Sequence, residues 1–200
     1  MKKGYKFLFL FSLIIILQYG CVKKLPVETD LSRLHFKMLN QDSSLIDFPD
    51  YLKGKVFILS LIYTNCPDIC PLIVNNMQRI QNRLLKEKIE GVNLVSVSFD
   101  PARDKPFVLK EFAALREIDT RSWQFLTGNQ SDIDSLRSQL KFLAIADDTK
   151  KNAKGNLNYY FVHTDRIFLI DRDLNVRNHY KGSEVNPDEI TKDVKLLIKI

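Results

Sequence analysis

The chain has 200 residues, of which 45% are hydrophobic and only seven are Gly and seven are Pro, so it is long enough for one well-packed domain and shows no composition of bulk disorder. Its formal charge is +6, which falls to +3 without Lys2, Lys3 and Lys6 of a removable N-terminal segment. With so small a charge, and no Lys/Arg cluster interleaved with aromatic residues, the composition gives little support to nucleic-acid binding.

Residues 1–20 have the layout of an export signal. A basic start precedes the apolar run 7–17, which is too short for a comfortable membrane span of about 20 residues but suits a signal peptide. Gly20 and Cys21 resemble the end of a bacterial lipobox, although Gln18 occupies a position that is usually apolar. We expect an exported domain that faces the periplasm or another extracytoplasmic space. It is tethered by a lipid on Cys21, or alternatively released by ordinary cleavage or held by an uncleaved anchor.

A polar tether at residues 21–30 and one domain at residues 31–200 are expected. Apolar and polar residues alternate loosely in residues 34–39 and 45–48, and a polar turn separates the two segments. This pattern predicts a hairpin. The apolar run 56–62 predicts a strand buried on both faces. After this strand, apolar residues recur at spacings of four, three and four residues, which predicts a helix with one apolar face. Met77 belongs to this face, so we expect it in the core and not as a metal ligand.

Residues 92–99 form a second apolar run, and strand, helix and strand of this length predict a βαβ unit with parallel strands. The remaining pattern predicts helices near residues 107–116 and 131–140, a strand at 123–127, a solvated loop at 147–158 and a terminal helix from residue 186. Strands at 166–171 and 174–180 are expected to pair. No internal repeat is present.

Cys66 and Cys70 lie where the first core strand meets its helix. Pro67 and Pro71 are tolerated there because the first helical N–H groups lack intrahelical partners. A helix N-terminus favours thiolate over thiol, and residues four apart share one face. The pair can therefore hold a metal or form a disulfide. A purely structural bridge is the weaker interpretation, since so short a loop restricts the unfolded chain least.

Asp100 and Arg103 follow the second core strand. Sites in parallel sheets gather beyond the carboxyl ends of strands, so both side chains could border the thiols. The alternative is a turn and helix cap that an Asp–Arg pair fixes.

Four stretches in this order are similar to the SCO/SenC family: residues 63–71 (YTNCPDICP), 97–104 (VSFDPARD), 126–128 (LTG), and His163 before a strand that ends at 169–171 (LID). The resemblance covers residues 31–200. It implies an α/β, thioredoxin-like fold, with a central mixed sheet flanked by helices and an N-terminal β-hairpin.

The resemblance also implies a membrane-tethered copper protein that assists assembly of the CuA centre of cytochrome c oxidase, with Cys66, Cys70 and His163 as ligands. Soft sulfur suits Cu(I), and an added nitrogen lets the same site accept Cu(II). The implied partners are the CuA-bearing oxidase subunit and a periplasmic copper donor or thiol reductant.

His163 is expected in the turn before a core strand. Its neighbours Val162 and Thr164 replace the family's usual Asp and Ser. Asp165 could instead supply the carboxylate that supports a ligand by hydrogen bonding. Further candidates for such supporting contacts are Asp68, Asp100 and Arg103.

Two other functions compete with copper transfer. A thiol–disulfide oxidoreductase would use Cys66 as the attacking thiol and Cys70 as the resolving thiol, reducing a partner's cysteines before metal insertion. A peroxidase fits less well, because the two cysteines lie one turn apart.

Overall fold

The computed structural model describes residues 25–147, 150–151 and 157–199. The strands are β1 (Thr29–Asp30), β2 (Phe36–Asn40), β3 (Leu45–Phe48), β4 (Val56–Ile62), β5 (Val92–Ser98), β6 (Trp123–Thr127), β7 (Ala144–Ala146), β8 (Lys150–Lys151), β9 (Leu157–Asn158), β10 (Phe161–His163), β11 (Ile167–Ile170) and β12 (Asn175–Tyr180). The helices are α1 (Ile69–Lys86), α2 (Pro106–Leu115), α3 (Gln130–Gln139) and α4 (Pro187–Ile198), with a short 3-10 turn at Asp50–Leu52.

Eight strands form one mixed sheet in the order β1-β12-β11-β4-β5-β6-β2-β3. The centre is parallel, from β4 through β5 to β6, while β11 and β2 join it antiparallel on either side. Every residue of β4 is buried, as the continuous apolar run predicts for a central strand. The predicted hairpin, βαβ core and final strand pair are all present in the expected order.

The apolar stripe of α1 packs into the core. Its buried members are Ile73, Met77, Ile80 and Leu84, and Met77 is fully buried. The prediction that Met77 is a core residue is therefore confirmed.

Residues 25–30, which the sequence pattern assigns to the tether, pack onto the sheet. Thr29 and Asp30 pair with β12. The buried guanidinium of Arg177 donates to the carbonyl oxygens of Leu25 and Pro26 and to the carboxylate of Asp171. Residues 25–30 are thus attached to the sheet. Residues 1–20 and Cys21 lie outside the described residues.

Within the described part of the chain, no helix is both long enough and apolar enough to cross a membrane.

A buried carboxylate fastens the turn that follows β4. Asp104, in the loop after β5, accepts hydrogen bonds from the Thr64 backbone N–H (3.0 Å), the Thr64 hydroxyl (2.5 Å) and the Ser98 hydroxyl (2.5 Å). Burial raises the pKa of the Asp104 carboxyl, and these hydrogen bonds oppose the rise. Because β4 and β5 are parallel neighbours, their following loops meet at one edge, where Asp104 joins them.

We expect Asp104→Ala to lower the free energy of unfolding by about 3 kcal/mol, because it leaves buried donors without an acceptor. Urea denaturation measures this loss. Asp47→Ala is the control, since Asp47 is exposed and, among the described residues, forms its ion pair with Lys37; it should change stability by less than about 0.5 kcal/mol. Equal losses in the two variants would contradict the fastening role of Asp104.

Candidate metal centre

The turn between β4 and α1 presents both cysteines. The helix begins at Ile69, so Cys70 lies in its first turn and Cys66 precedes it. The Cys66 sulfur accepts a hydrogen bond from the Cys70 backbone N–H, with a donor–acceptor distance of 3.4 Å. A sulfur thus satisfies an N–H group that the helix itself leaves unpaired. Neither cysteine is in a disulfide.

His163 approaches the cysteines from the opposite side. It ends β10, which pairs with β7 in a separate two-stranded sheet, so it lies on a short strand and not in the predicted turn. Its Nε2 atom is 3.3 Å from the Cys70 sulfur and 3.9 Å from the Cys66 sulfur. The three candidate ligand atoms all lie within 4.8 Å of one another.

The backbone selects the tautomer of His163. Its Nδ1 atom is 2.9 Å from the carbonyl oxygen of Thr164. A carbonyl can only accept, so Nδ1 carries the hydrogen and donates it. In the neutral ring, Nε2 then directs a lone pair toward the two sulfurs.

Aromatic rings surround the imidazole. The ring centroid of Phe99 is 5.1 Å from that of His163, and those of Phe142 and Tyr63 are 5.8 Å and 6.0 Å away. Phe142 is stacked on the imidazole with an interplanar angle of 23°. This packing holds the ring in place, while the side chain stays half-buried at the edge of an open cleft.

The two thiols differ in burial and charge. The Cys70 thiol donates a hydrogen bond that lowers the pKa of Cys66, and the N–H groups of Cys70 and Asp68 add to the effect against burial. Burial raises the pKa of Cys70, and the neighbouring Cys66 raises it further. The reduced pair therefore consists of a Cys66 thiolate, 8% exposed, beside a Cys70 thiol, 1% exposed.

Of the four acidic and basic residues expected around the ligands, Asp68 lies beside them and the other three make contacts of their own. Asp165 accepts from the backbone N–H and the hydroxyl of Ser183, so it does not support His163. Asp100 pairs with Arg103 and accepts from the Tyr159 hydroxyl. These contacts agree with the alternative interpretation, in which an Asp–Arg pair fixes the loop after β5. Asp68 contributes its backbone N–H to Cys66, while its side chain lies at the exposed mouth of the site.

Three contributors were not identified from the sequence pattern: Tyr63, Asp104 and the carbonyl of Thr164. Tyr63 and Asp104 each belong to a stretch that was singled out, but nothing in residue type marked them above their neighbours. A backbone carbonyl carries no sequence signal at all.

The chain matches known proteins over most of its length. A family model described as SCO1/SenC matches residues 27–199. A SCO1 protein homolog from Bacillus subtilis is 36% identical over 162 residues, covering 80% of this chain and 79% of the relative. A SCO1/SenC family lipoprotein from Bacillus anthracis superposes with a TM-score of 0.71 at 33% identity, over 86% of this chain and 97% of that one.

Two further solved structures share the fold. BsSco, a member of the Sco family of cytochrome c oxidase assembly proteins with a disulfide switch, has a TM-score of 0.70 at 31% identity, over 88% and 98% of the two chains. Bradyrhizobium japonicum ScoI, solved with copper bound, has a TM-score of 0.65 at 25% identity, over 82% and 97%. The predicted thioredoxin-like fold is confirmed, and the family match over residues 27–199 shows that the chain belongs to the SCO1/SenC family.

Proposed function

We propose that the protein binds one copper ion through Cys66, Cys70 and His163 and delivers it during assembly of the CuA centre of cytochrome c oxidase. The observation that carries this proposal is the convergence of two sulfurs and one imidazole nitrogen within 4.8 Å. The ligands come from a turn, a helix and a strand of a separate small sheet, so the tertiary fold brings them together.

The donor set fits copper. Two sulfurs favour Cu(I), and the imidazole nitrogen extends the site to Cu(II). Zinc also takes such ligands but typically requires a fourth from protein or water. The Cys66 thiolate is ready to bind, whereas Cys70 must release its proton when the ion enters. Copper bound to Bradyrhizobium japonicum ScoI supports the choice of metal.

The recipient we propose is the CuA-bearing oxidase subunit, with a periplasmic copper donor or thiol reductant acting upstream. BsSco, described with the Sco family of oxidase assembly proteins, supports this partner. The export signal at residues 1–20 and the lipobox-like Cys21 support a domain tethered at the outer face of a membrane. The Bacillus anthracis lipoprotein supports a lipid tether.

Thiol–disulfide exchange is the second candidate function. The difference between the two thiols in pKa favours this function, because the thiolate of Cys66 is the form that attacks a disulfide. Cys70 lies beside Cys66, where it can resolve the resulting mixed disulfide. Both functions need the reduced pair, so one protein can perform both.

We expect His163→Ala to weaken Cu(II) binding by on the order of 100-fold or more, because loss of a ligand should exceed the 10- to 100-fold cost of losing a supporting residue. Titration of the reduced domain with Cu(II), monitored by the absorption spectrum of the bound copper, measures this change in affinity. His179→Ala removes an imidazole that pairs with Glu28 far from the thiols, and it should bind copper as the wild type does. Unchanged Cu(II) spectra in His163→Ala would show that the ion lies elsewhere.

The thiols should titrate separately. Because the pKa of Cys66 is lowered, its thiolate should persist as the pH falls below 6, while Cys70 stays protonated at pH 8. Thiolate ultraviolet absorbance against pH in the metal-free reduced protein checks this. Cys66→Ser should lose the acid-stable signal. Two thiols that both titrate near the usual value of about 8.5 would contradict the arrangement.

Copper delivery and thiol reduction can be separated with His163→Ala. If copper delivery is the function, the variant should fail to support oxidase assembly while retaining its rate of thiol–disulfide exchange. Exchange with a model disulfide and oxidase activity in cells that carry the variant measure the two. A variant that still supports assembly would favour the reductase function.

A further inference from the structure

Strand β10, which carries His163, lies outside the main sheet. Among the described strands it pairs with β7, and the two form a ribbon separate from the eight-stranded sheet. A two-stranded ribbon is at best marginally stable on its own in water. The position of His163 therefore depends on the contacts that attach β10 to the body of the domain.

Tyr159, two residues before β10, makes such an attachment. Its hydroxyl donates a hydrogen bond to Asp100 at 2.8 Å, and its backbone carbonyl oxygen accepts one from Arg103 at 3.0 Å. The guanidinium of Arg103 also lies over the Tyr159 ring, with Cζ 3.7 Å from the ring centroid, which is a cation–π contact. These three contacts join Tyr159 to the loop after β5.

The side chain of Arg103 is itself held in place. It forms an ion pair with the carboxylate of Asp100, which is only 3% exposed. Nε of Arg103 donates to Asp100, while Nη1 donates to Tyr159. A planar guanidinium can form both hydrogen bonds and stack on a ring at the same time, whereas the ammonium group of a lysine cannot. The attachment thus depends on the shape of the arginine as well as on its charge.

The loop after β5 contacts both sides of the candidate site. Asp104 accepts hydrogen bonds from Thr64 in the cysteine turn. Arg103, the preceding residue, holds Tyr159 just before the histidine strand. The Tyr159 ring meets the ring of Phe161, the first residue of β10, edge-on at a centroid distance of 5.4 Å. Two neighbouring side chains of one loop therefore hold the cysteine turn and the histidine strand in fixed relation.

We propose that Arg103 is a positioning residue for His163, which holds β10 where the imidazole faces the two sulfurs. Arg103 acts through Tyr159 and not on the metal. The inference rests on the proposed copper site, since an imidazole that moves away leaves only two sulfurs for the ion. Loss of Arg103 should leave the thiols together, because Asp104 holds their turn separately.

Arg103→Lys tests the proposal, because it keeps a positive charge beside the buried Asp100 but removes the planar fork. The backbone N–H of Phe161 donates to the Tyr63 hydroxyl on the body of the domain. In the metal-free reduced protein, we expect this N–H to exchange with solvent about tenfold faster in the variant. The N–H groups of β4 and β5 should keep their wild-type rates. Amide hydrogen exchange followed by NMR measures both.

Copper binding gives a second readout. The Cu(II) affinity of Arg103→Lys should fall by about tenfold, as expected for the loss of a supporting residue. Cu(I), which the two sulfurs favour, should bind as it does in the wild type. The nitrogen hyperfine coupling of His163 in the Cu(II) electron paramagnetic resonance spectrum should weaken. A general loss of stability would weaken binding of both ions, so a selective loss distinguishes positioning from a merely structural role.

Tyr159→Phe keeps the proposal testable if Arg103→Lys does not fold. This variant retains the ring and the carbonyl oxygen and removes only the hydrogen bond to Asp100. We expect faster exchange at Phe161 and weaker Cu(II) binding, both by a smaller factor than in Arg103→Lys.

Two matched controls remove similar contacts elsewhere in the fold. Arg116→Lys removes a guanidinium that lies over the Phe112 ring of α2, with Cζ 3.8 Å from the centroid. Tyr180→Phe removes a hydroxyl that donates to Asp193 of α4 at 2.7 Å. Both controls should match the wild type in exchange at Phe161 and in Cu(II) affinity.

Wild-type exchange at Phe161 in both Arg103→Lys and Tyr159→Phe would overturn the inference. Faster exchange with unchanged Cu(II) affinity would also overturn it, provided that His163→Ala does lower that affinity. If copper binds elsewhere, His163→Ala leaves the Cu(II) spectra unchanged, and the exchange rates of the metal-free protein then decide whether Arg103 positions β10. Failure of the copper site and failure of the positioning role are thus distinguished.

Discussion

Three hydrogen bonds to one buried carboxylate hold the cysteine turn against the end of the sheet. Asp104 lies after β5 and receives two of them from Thr64, which lies two residues before Cys66. The parallel pairing of β4 and β5 is what brings these loops together. With the turn fixed, the Cys66 sulfur stays in reach of the first N–H groups of α1 and of His163. The site therefore depends on a contact that involves none of the candidate ligands.

Local patterns predict much of this structure, and tertiary contacts decide the rest. The strand at 56–62, the helix stripe and the cysteine turn each follow from residues close in sequence. The position of His163 depends on pairing between β7 and β10, which no short pattern reports, and only the family resemblance indicated it. Asp165 lies two residues after His163, yet its carboxylate accepts hydrogen bonds from Ser183. Asp100 and Asp104 follow the same strand. The sequence alone does not tell which of the two carboxylates accepts hydrogen bonds from Thr64 in the cysteine turn.

The two sulfurs are chemically distinct although their residue types are identical. Cys66 precedes the helix, and its sulfur accepts several hydrogen bonds. Cys70 lies in the first helical turn, where its sulfur is buried. One environment favours the anion and the other favours the neutral thiol. A metal ion would replace the shared hydrogen between them, and a disulfide would remove both ligands at once. Under the proposed function, the redox state of the pair thus determines whether the site can be loaded.

The Arg177 contacts hold Leu25 and Pro26 against the domain. Only residues 22–24 separate Leu25 from Cys21, and four residue steps span at most about 14 Å of extended chain. With a lipid on Cys21, the domain would remain within about one small-domain radius of the bilayer surface. Its search for a partner would then be lateral diffusion in two dimensions, and a recipient site far above the membrane would be out of reach.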